Sequence, residues 1–420
     1  MPDVVVVIGA GLIGLTTAYE LLQRGRQVLV LDAGPDVAQG ASHANGSILT
    51  PSMADPWNSP GVHRHLLASV VDRRAALVLR VSALPSLWLW GLRFLRNSSP
   101  TRHRAATLDS FLLSNYSLRR TRELRERLSL DYGSTTRGTM RLFRDGENLQ
   151  RALALAQMLG EHGLRFALLD RAAAVEAEPQ LAPVAARIAG ALRFPDDEGG
   201  DAYRFCVALA TRIEDCGGRI RRGLGARGIL VRQGTVCGVD SGDGVIATSE
   251  VIVACGVDSQ KLVNPLGIDL AIRPAKGYSL TLDVSSVSGC PQAPLVEDSL
   301  HVAIAPMGDQ LRIAGTAEFA GMDRSIRPER IENLFEALVA TYPDVARQVE
   351  RRTAVSWAGL RPMSSDGLPT VGPSRVRGLY VNAGHGHLGW TMAVGSAHML
   401  ADLITGVAPA INASPYRVGR

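Results

Sequence analysis

At 420 residues the chain exceeds the roughly 250–300 residues at which a single hydrophobic core stops growing, so two domains are expected. With 46% apolar and 20% charged residues it is neither disordered nor fibrous, and its longest apolar stretches, Val4 to Leu15 and Leu84 to Leu95, fall short of the roughly 20 residues of a spanning helix. The net charge of +5 is carried mostly by arginine and is concentrated between Arg93 and Arg127, where Arg96, Arg102, Arg104, Arg119, Arg120, Arg122 and Arg125 also lie. Such a face is either solvated or meets an anionic surface. Without a stacking platform or a recognised fold it does not read as a nucleic-acid domain. Five scattered cysteines with no CxxC pair point to reduced thiols in a cytoplasmic protein and give no support to a metal site. No basic stretch precedes the first apolar run, so no signal peptide is expected.

The first strong pattern is Val4 to Asp32. A β-branched run, Val4 to Ile8, reads as a buried parallel strand that feeds into Gly9-Ala10-Gly11-Leu12-Ile13-Gly14. Gly9 suits the tight turn, Gly11 close approach to a pyrophosphate, and Gly14 packing of the following helix on the strand. That helix, Leu15 to Arg24, ends at Gly25, and a second strand, Gln27 to Leu31, delivers Asp32, a carboxylate suited to ribose hydroxyls. Strand, glycine turn, helix, strand and acid together specify a dinucleotide site.

The loop Ala33 to Ser47 is dense in small residues and hydroxyls, which suits backbone approach to a ligand. Proline and turn formers from Thr50 to Pro60 mark a connection. Helices are expected over Leu66 to Arg80, Leu84 to Asn97 and Ala105 to Leu130. The second places Leu84, Leu87, Trp88 and Leu92 on one side, and its tryptophans beside arginines suit either a core contact or a membrane interface. Gly138 to Arg144 alternates as a strand, Asn148 to His162 reads as a helix closed by Gly163, and Tyr203 to Asp215 returns to helix. Glu250 to Gly256 is a buried strand ending in a small-residue turn that places Ala254, Cys255 and Gly256 beside the ligand. Ile272 to Asp283 and His301 to Ala317 alternate as strands, and Pro328 to Tyr342 is an amphipathic helix. A second glycine-rich turn, Gly384-His385-Gly386-His387-Leu388-Gly389-Trp390-Thr391, follows a strand at Leu379 to Asn382 and enters a final helix. It implies that the C-terminus folds back onto the nucleotide domain. The architecture expected is α/β: a Rossmann-like domain from residues 1–137, 196–268 and 355–420, with a discontinuous mixed-sheet α+β substrate domain from 138–195 and 269–354.

The motifs VVVIGAGLIGLTTAYEL, ASHANG, DPWNSPG, KGYSLT, GLRPMSSDGLPTVG and NAGHGHLGWTMAVGSA together resemble the flavin-dependent D-amino acid oxidase superfamily, most closely its bacterial D-amino acid dehydrogenase (small-subunit) branch. The resemblance covers nearly the whole chain and identifies the dinucleotide as FAD. It implies that Gly9, Ala10, Gly11, Leu12, Ile13 and Gly14 border the pyrophosphate and Asp32 and Ala33 the ribose. Ser42, Asn45, Gly46 and Ser47 would run towards the flavin, Ala226 would meet the adenine side, and Ala254 and Gly256 would close the pocket. Gly384, Gly386, His387, Leu388, Gly389, Trp390 and Thr391 would sit at the isoalloxazine ring. Arg361, the GLRP arginine, is the substrate-carboxylate anchor, since a guanidinium takes a carboxylate through two parallel hydrogen bonds.

Tyr278 is a candidate for the pocket lid or wall, where its hydroxyl could meet the substrate, or for the core. His385 is a weaker catalytic candidate, because such a histidine also packs on the ring or bonds the backbone. His43 stands one residue off the register used by relatives that attach flavin covalently, so non-covalent FAD is expected. Two departures from the branch are Asn45-Gly46-Ser47 in the flavin loop and Leu300, which replaces a tyrosine beside His301 and so removes a phenol contact with substrate. The implied reaction is oxidation of a D-amino acid by hydride transfer from Cα to flavin N5, then hydrolysis to a 2-oxo acid and ammonia. Electrons pass to a quinone or another acceptor, and the basic, tryptophan-bearing segment is compatible with docking of a cytoplasmic protein on the inner face of the inner membrane. The alternatives are oxidation of a secondary amine such as D-proline, D-hydroxyproline, sarcosine or glycine, and a flavoprotein subunit that needs a partner.

Overall fold

The computed structural model describes residues 4–62, 77–80 and 83–420. Val5–Ile8 forms the middle of a six-stranded sheet with the order Thr370–Pro373, Leu379–Ala383, Val251–Val253, Val5–Ile8, Val28–Leu31, Arg219–Arg221. All neighbours are parallel except the first pair. Both faces of these apolar strands are covered, as parallel sheets require. On one side pack the helices Leu12–Leu22, Ala202–Asp215 and Gly389–Thr405, with Pro100–Leu128 over the last of these. On the other lies the antiparallel sheet Gly228–Arg232, Thr235–Asp240, Val245–Ile246.

A nine-stranded sheet forms the second layer. Its main order is Val355–Ser364, Ile272–Asp283, Gln310–Phe319, Val302–Met307, Leu295–Glu297, Thr139–Phe143, Gly190–Phe194, Ala167–Leu169, with Leu77–Leu79 added beside Gln310–Phe319. Its outer face packs on Pro328–Thr341 and the turns around Leu181 to Ile188. The strand Val355–Ser364, assigned from sequence to the cofactor half, belongs to this sheet because it pairs with Ile272–Asp283 over ten residues.

Other differences have local causes. The expected helix Leu66 to Arg80 lies mostly outside the described residues, and its described end, Leu77–Leu79, is a strand because the edge of Ala317 to Phe319 offers it hydrogen bonds. The long helix begins at Pro100, where proline loses no hydrogen bond, and stops at Leu128 with Ser129 left-handed at φ 50°. Leu84–Asn97 forms as expected but turns a different face inward. Leu87, Trp90 and Phe94 pack on Phe319 and Met363, whereas Trp88 is 70% exposed and Leu84, Leu89, Leu92 and Leu95 are exposed beside it.

Candidate functional site

The C-terminal ends of Val5–Ile8, Val28–Leu31 and Val251–Val253 open into one cavity of about 1340 Å³ that continues under the bare face of the large sheet. It exceeds the roughly 300–1,000 Å³ of an ordinary small-molecule pocket. At one end are Gly9, Gly11, Leu12, Ile13, Asp32, Ala33, Ala226, Ala254 and Gly256; at the other are Tyr278, Thr316, Trp357, Arg361, His385 and His387.

The nucleotide end is built from glycine geometry. Gly9 has φ 111°, and a Cβ there would lie 2.6 Å from the Ala254 carbonyl oxygen. A Cβ on Gly14 would overlap the Gly9 carbonyl, so Gly14 sets the contact between helix and turn and stands behind the cavity wall. Ala10 is also behind the wall, its N–H donating to Asp32 Oδ2 at 2.5 Å, while Gly34 N–H donates to Oδ1 at 2.7 Å. These two bonds fix the Asp32 carboxylate and leave it lone pairs for further donors. Ser42 Oγ accepts from Leu12 N–H at 3.1 Å, and the loop is tied to the large sheet by Ser279 Oγ donating to the Ala44 carbonyl.

At the other end Gly389–Thr405 begins with no side-chain cap, and Gly386, Leu388, Gly389 and part of Trp390 line the cavity with Gly384. Its first amides and those of Leu12–Leu22 give the cavity two positive helix ends. His385 is buried, its Nε2 3.0 Å from Ser396 Oγ, and burial pushes its pKa down to about 3. A neutral imidazole in this state is not a general acid near pH 7. Its Nδ1 and Asn382 Oδ1 are buried without a partner among the described residues. His387 bonds the Met53 carbonyl from Nε2 at 3.2 Å and stacks on Trp57 with centroids 5.6 Å apart.

Arg361 lies on Val355–Ser364 opposite Ala275 and reaches over Gly277, where a Cβ would overlap its guanidinium. Nη1 donates to the Thr316 carbonyl at 3.0 Å, and Cζ stands 5.8 Å from the Trp57 ring centroid. No carboxylate among the described residues pairs with it, and burial pushes its pKa down to about 10, so it remains a cation at neutral pH. A half-buried guanidinium with spare donors facing a cavity is a site for an anion.

Several of the side chains expected at the site are engaged by other parts of the protein. Tyr278 borders the cavity, but its side chain is buried and its hydroxyl donates to buried Glu318 at 2.7 Å, so it is not free for substrate. Ser47 and Thr391 lie outside the lining, because Ser47 Oγ accepts from Arg312 at 3.0 Å and Thr391 Oγ1 accepts from Thr50 N–H at 3.1 Å. Leu300 packs against the core of the large sheet and does not line the cavity, although the neighbouring His301 does. Asn45 and Gly46 do line it, with Asn45 Oδ1 accepting from Ser47 N–H. His43 sits between Tyr203 and Trp357 and does not line the cavity. Trp57, Gly277 and Thr316 were given no role from sequence; the DPWNSPG and KGYSLT motifs hold the first two but say nothing of what they touch.

These features fit an FAD. A fixed carboxylate meets a side-chain-free glycine turn, two helix N-termini flank the space for a diphosphate and a ring system, and unpartnered polar atoms border the far end. The comparisons agree. The profile of the DAO family, described as FAD dependent oxidoreductase, matches residues 4–403. A D-amino acid dehydrogenase of Bradyrhizobium diazoefficiens is 35% identical over 99% of this chain and 98% of its own. One from Cereibacter sphaeroides is 37% identical over 99% of this chain and 95% of its own. The solved glycine oxidase of Geobacillus kaustophilus shares the fold with a TM-score of 0.77 at 24% identity, covering 100% of this chain and 99% of that one. With a match running almost from end to end, the chain belongs to the DAO family of FAD-dependent oxidoreductases.

Proposed function

We propose that the protein is a D-amino acid dehydrogenase in which Arg361 grips the substrate carboxylate. The observation that carries this is the half-buried guanidinium of Arg361, with no acid paired to it among the described residues, in the same cavity as Asp32 and both glycine turns; the dehydrogenase relatives supply the stereochemistry of the substrate. When bound, FAD accepts the two electrons and the α-hydrogen that turn the amine into an imine. The chain's own part is orientation. Arg361 presents parallel donors to the carboxylate, Gly277 and Thr316 set the height of those donors, and Tyr278 backs one wall. His385 and His387, held neutral, keep a second cation away from an amine that must lose its own proton to react. Water then converts the imine to a 2-oxo acid and ammonia.

For the acceptor we infer a membrane quinone. Among the described residues no helix is long and apolar enough to cross a membrane. Leu84–Asn97 instead exposes Leu84, Trp88, Leu89, Leu92 and Leu95, and exposed Arg96, Arg102 and Arg104 follow with no acidic partner among the described residues. Apolar side chains beside arginines suit an anionic lipid surface. Part of the basic stretch is not available for this, since Arg122 and Arg125 pair with buried Glu198 and Arg93 with Asp269.

The test is anaerobic addition of a panel to the FAD-loaded protein: D-alanine, L-alanine, D-proline and sarcosine. D-alanine is expected to abolish the oxidised-flavin absorbance and L-alanine to leave it. Bleaching by sarcosine or D-proline alone would replace this substrate class with secondary amines, and no bleaching by any would remove the proposal.

A further inference from the structure

We propose that Trp57 is a positioning residue for Arg361, its indole fixing the plane in which the guanidinium meets a substrate carboxylate. The inference rests on the reading of Arg361 as the carboxylate anchor.

A guanidinium carries five donors, and among the described residues Arg361 uses one of them on the protein, from Nη1 to the Thr316 carbonyl. One bond sets a direction but leaves rotation about it free. Two further surfaces remove that freedom. Gly277 leaves open the space the guanidinium occupies on the neighbouring strand, and Trp57 presents its ring at 5.8 Å from Cζ. The face of an indole attracts a cation through its ring quadrupole, and more strongly where water is partly excluded, as at this half-buried side chain. The two interactions use different parts of the group. The indole attracts the cation through its ring face, and carboxylate hydrogen bonds lie in the guanidinium plane, so substrate does not displace the tryptophan.

Trp57 is itself held from other elements. Its ring stacks on His387 at an interplanar angle of 23°. His387 Nε2 faces the Met53 carbonyl, which only accepts, so the proton sits on Nε2. Burial and the nearby charge of Arg361 lower the pKa of His387, against the pull of Asp55 and the Met53 bond, and the stack is with a neutral ring. The preceding Pro56 is fixed on both sides: its carbonyl meets His103 Nε2 at 3.1 Å, and its ring fills the space beside Gly367. Placement by three separate elements is what distinguishes an alignment device from a loop side chain filling a gap.

The rival reading is packing alone, since Trp57 also borders the apolar cluster of Val62, Trp90, Phe319 and Met363. A double-mutant cycle on the FAD-loaded enzyme separates the two, using Trp57→Leu, Arg361→Gln and their combination, with D-alanine and an artificial acceptor. Trp57→Leu is expected to raise KM about tenfold, the equivalent of about 1.4 kcal/mol, with kcat within about threefold. In the Arg361→Gln background the same change is expected to alter kcat/KM by less than about twofold. Trp57→Phe, which keeps a weaker ring face, is expected to recover most of the affinity, and it carries the test by itself should the leucine variant not hold FAD. An equal loss from Trp57→Leu in both backgrounds, or a phenylalanine variant no better than leucine, overturns the proposal. If Arg361→Gln alone leaves kcat/KM unchanged, the carboxylate reading has failed and this inference goes with it, a result visible before Trp57 is touched.

Discussion

Replacing Gly277 with alanine isolates the contribution of Arg361 without touching it. Gly277 lies in the strand Ile272–Asp283, and its φ is not in the left-handed region, so alanine meets no backbone strain. Alanine in a strand interior gains about 0.5–1 kcal/mol over glycine. The new methyl would instead overlap Cζ, Nη1 and Nη2 of Arg361. Restoring ordinary carbon contacts of about 3.5 Å requires a guanidinium displacement of more than about 1 Å. The Arg361 side chain is long, so it can swing aside at little cost in stability, but misplacement of this size costs up to about a hundredfold in rate where alignment governs the reaction. The expected result is a fall in kcat/KM for D-alanine of between about ten- and a hundredfold, with the melting temperature of the FAD-loaded protein unchanged or slightly raised. Steady-state kinetics and a thermal melt suffice. A variant with wild-type kcat/KM and a normal melt would refute the placement of Arg361 as the anchor.

Acid stability offers a second check. The folded pKa of His385 is depressed to about 3 from the usual 6.5, so its contribution is complete above about 6.5 and is lost as pH falls from there towards about 3, because the unfolded chain binds the proton first. His385→Gln is expected to flatten the dependence of melting temperature on pH across that window; an unchanged slope would show that the imidazole is not held neutral. On the surface, Trp88→Ser with Leu89→Ser removes two exposed apolar groups each worth about 1.5–3 kcal/mol when buried. Co-sedimentation with anionic phospholipid vesicles is expected to weaken by more than about tenfold while turnover with a soluble acceptor stays the same. Equal sedimentation of variant and parent would reject Leu84–Asn97 as the lipid contact.

What the sequence disclosed and what it concealed divide along physical lines. Gly9, Gly11, Gly14 and Asp32 were legible because their demands are local: a positive φ, a missing Cβ and an acid at the end of the next strand all lie within 24 residues. The helix Leu84–Asn97 was legible in extent but not in orientation, since Trp90 is drawn inward by the Met363 carbonyl and Phe319, contacts more than two hundred residues away. Leu77–Leu79 became a strand for the same kind of reason. Ser47, Thr391 and Tyr278 have side chains suited to a ligand, and each is claimed by a distant protein partner, Arg312, Thr50 and Glu318. Gly277 was hidden in the opposite way. Its meaning depends on the register that puts Ala275 opposite Arg361, and no local pattern encodes register between strands eighty residues apart.

The most direct test of the account is a crystal structure of the FAD-loaded protein with 2-aminobenzoate, a carboxylate that cannot be oxidised at an α-carbon. The account predicts one FAD with its ribose on Asp32 and its ring beside Gly386 to Gly389, and the inhibitor carboxylate within about 3 Å of two Arg361 nitrogens. A carboxylate bound elsewhere, or Arg361 turned out of the cavity, would contradict it.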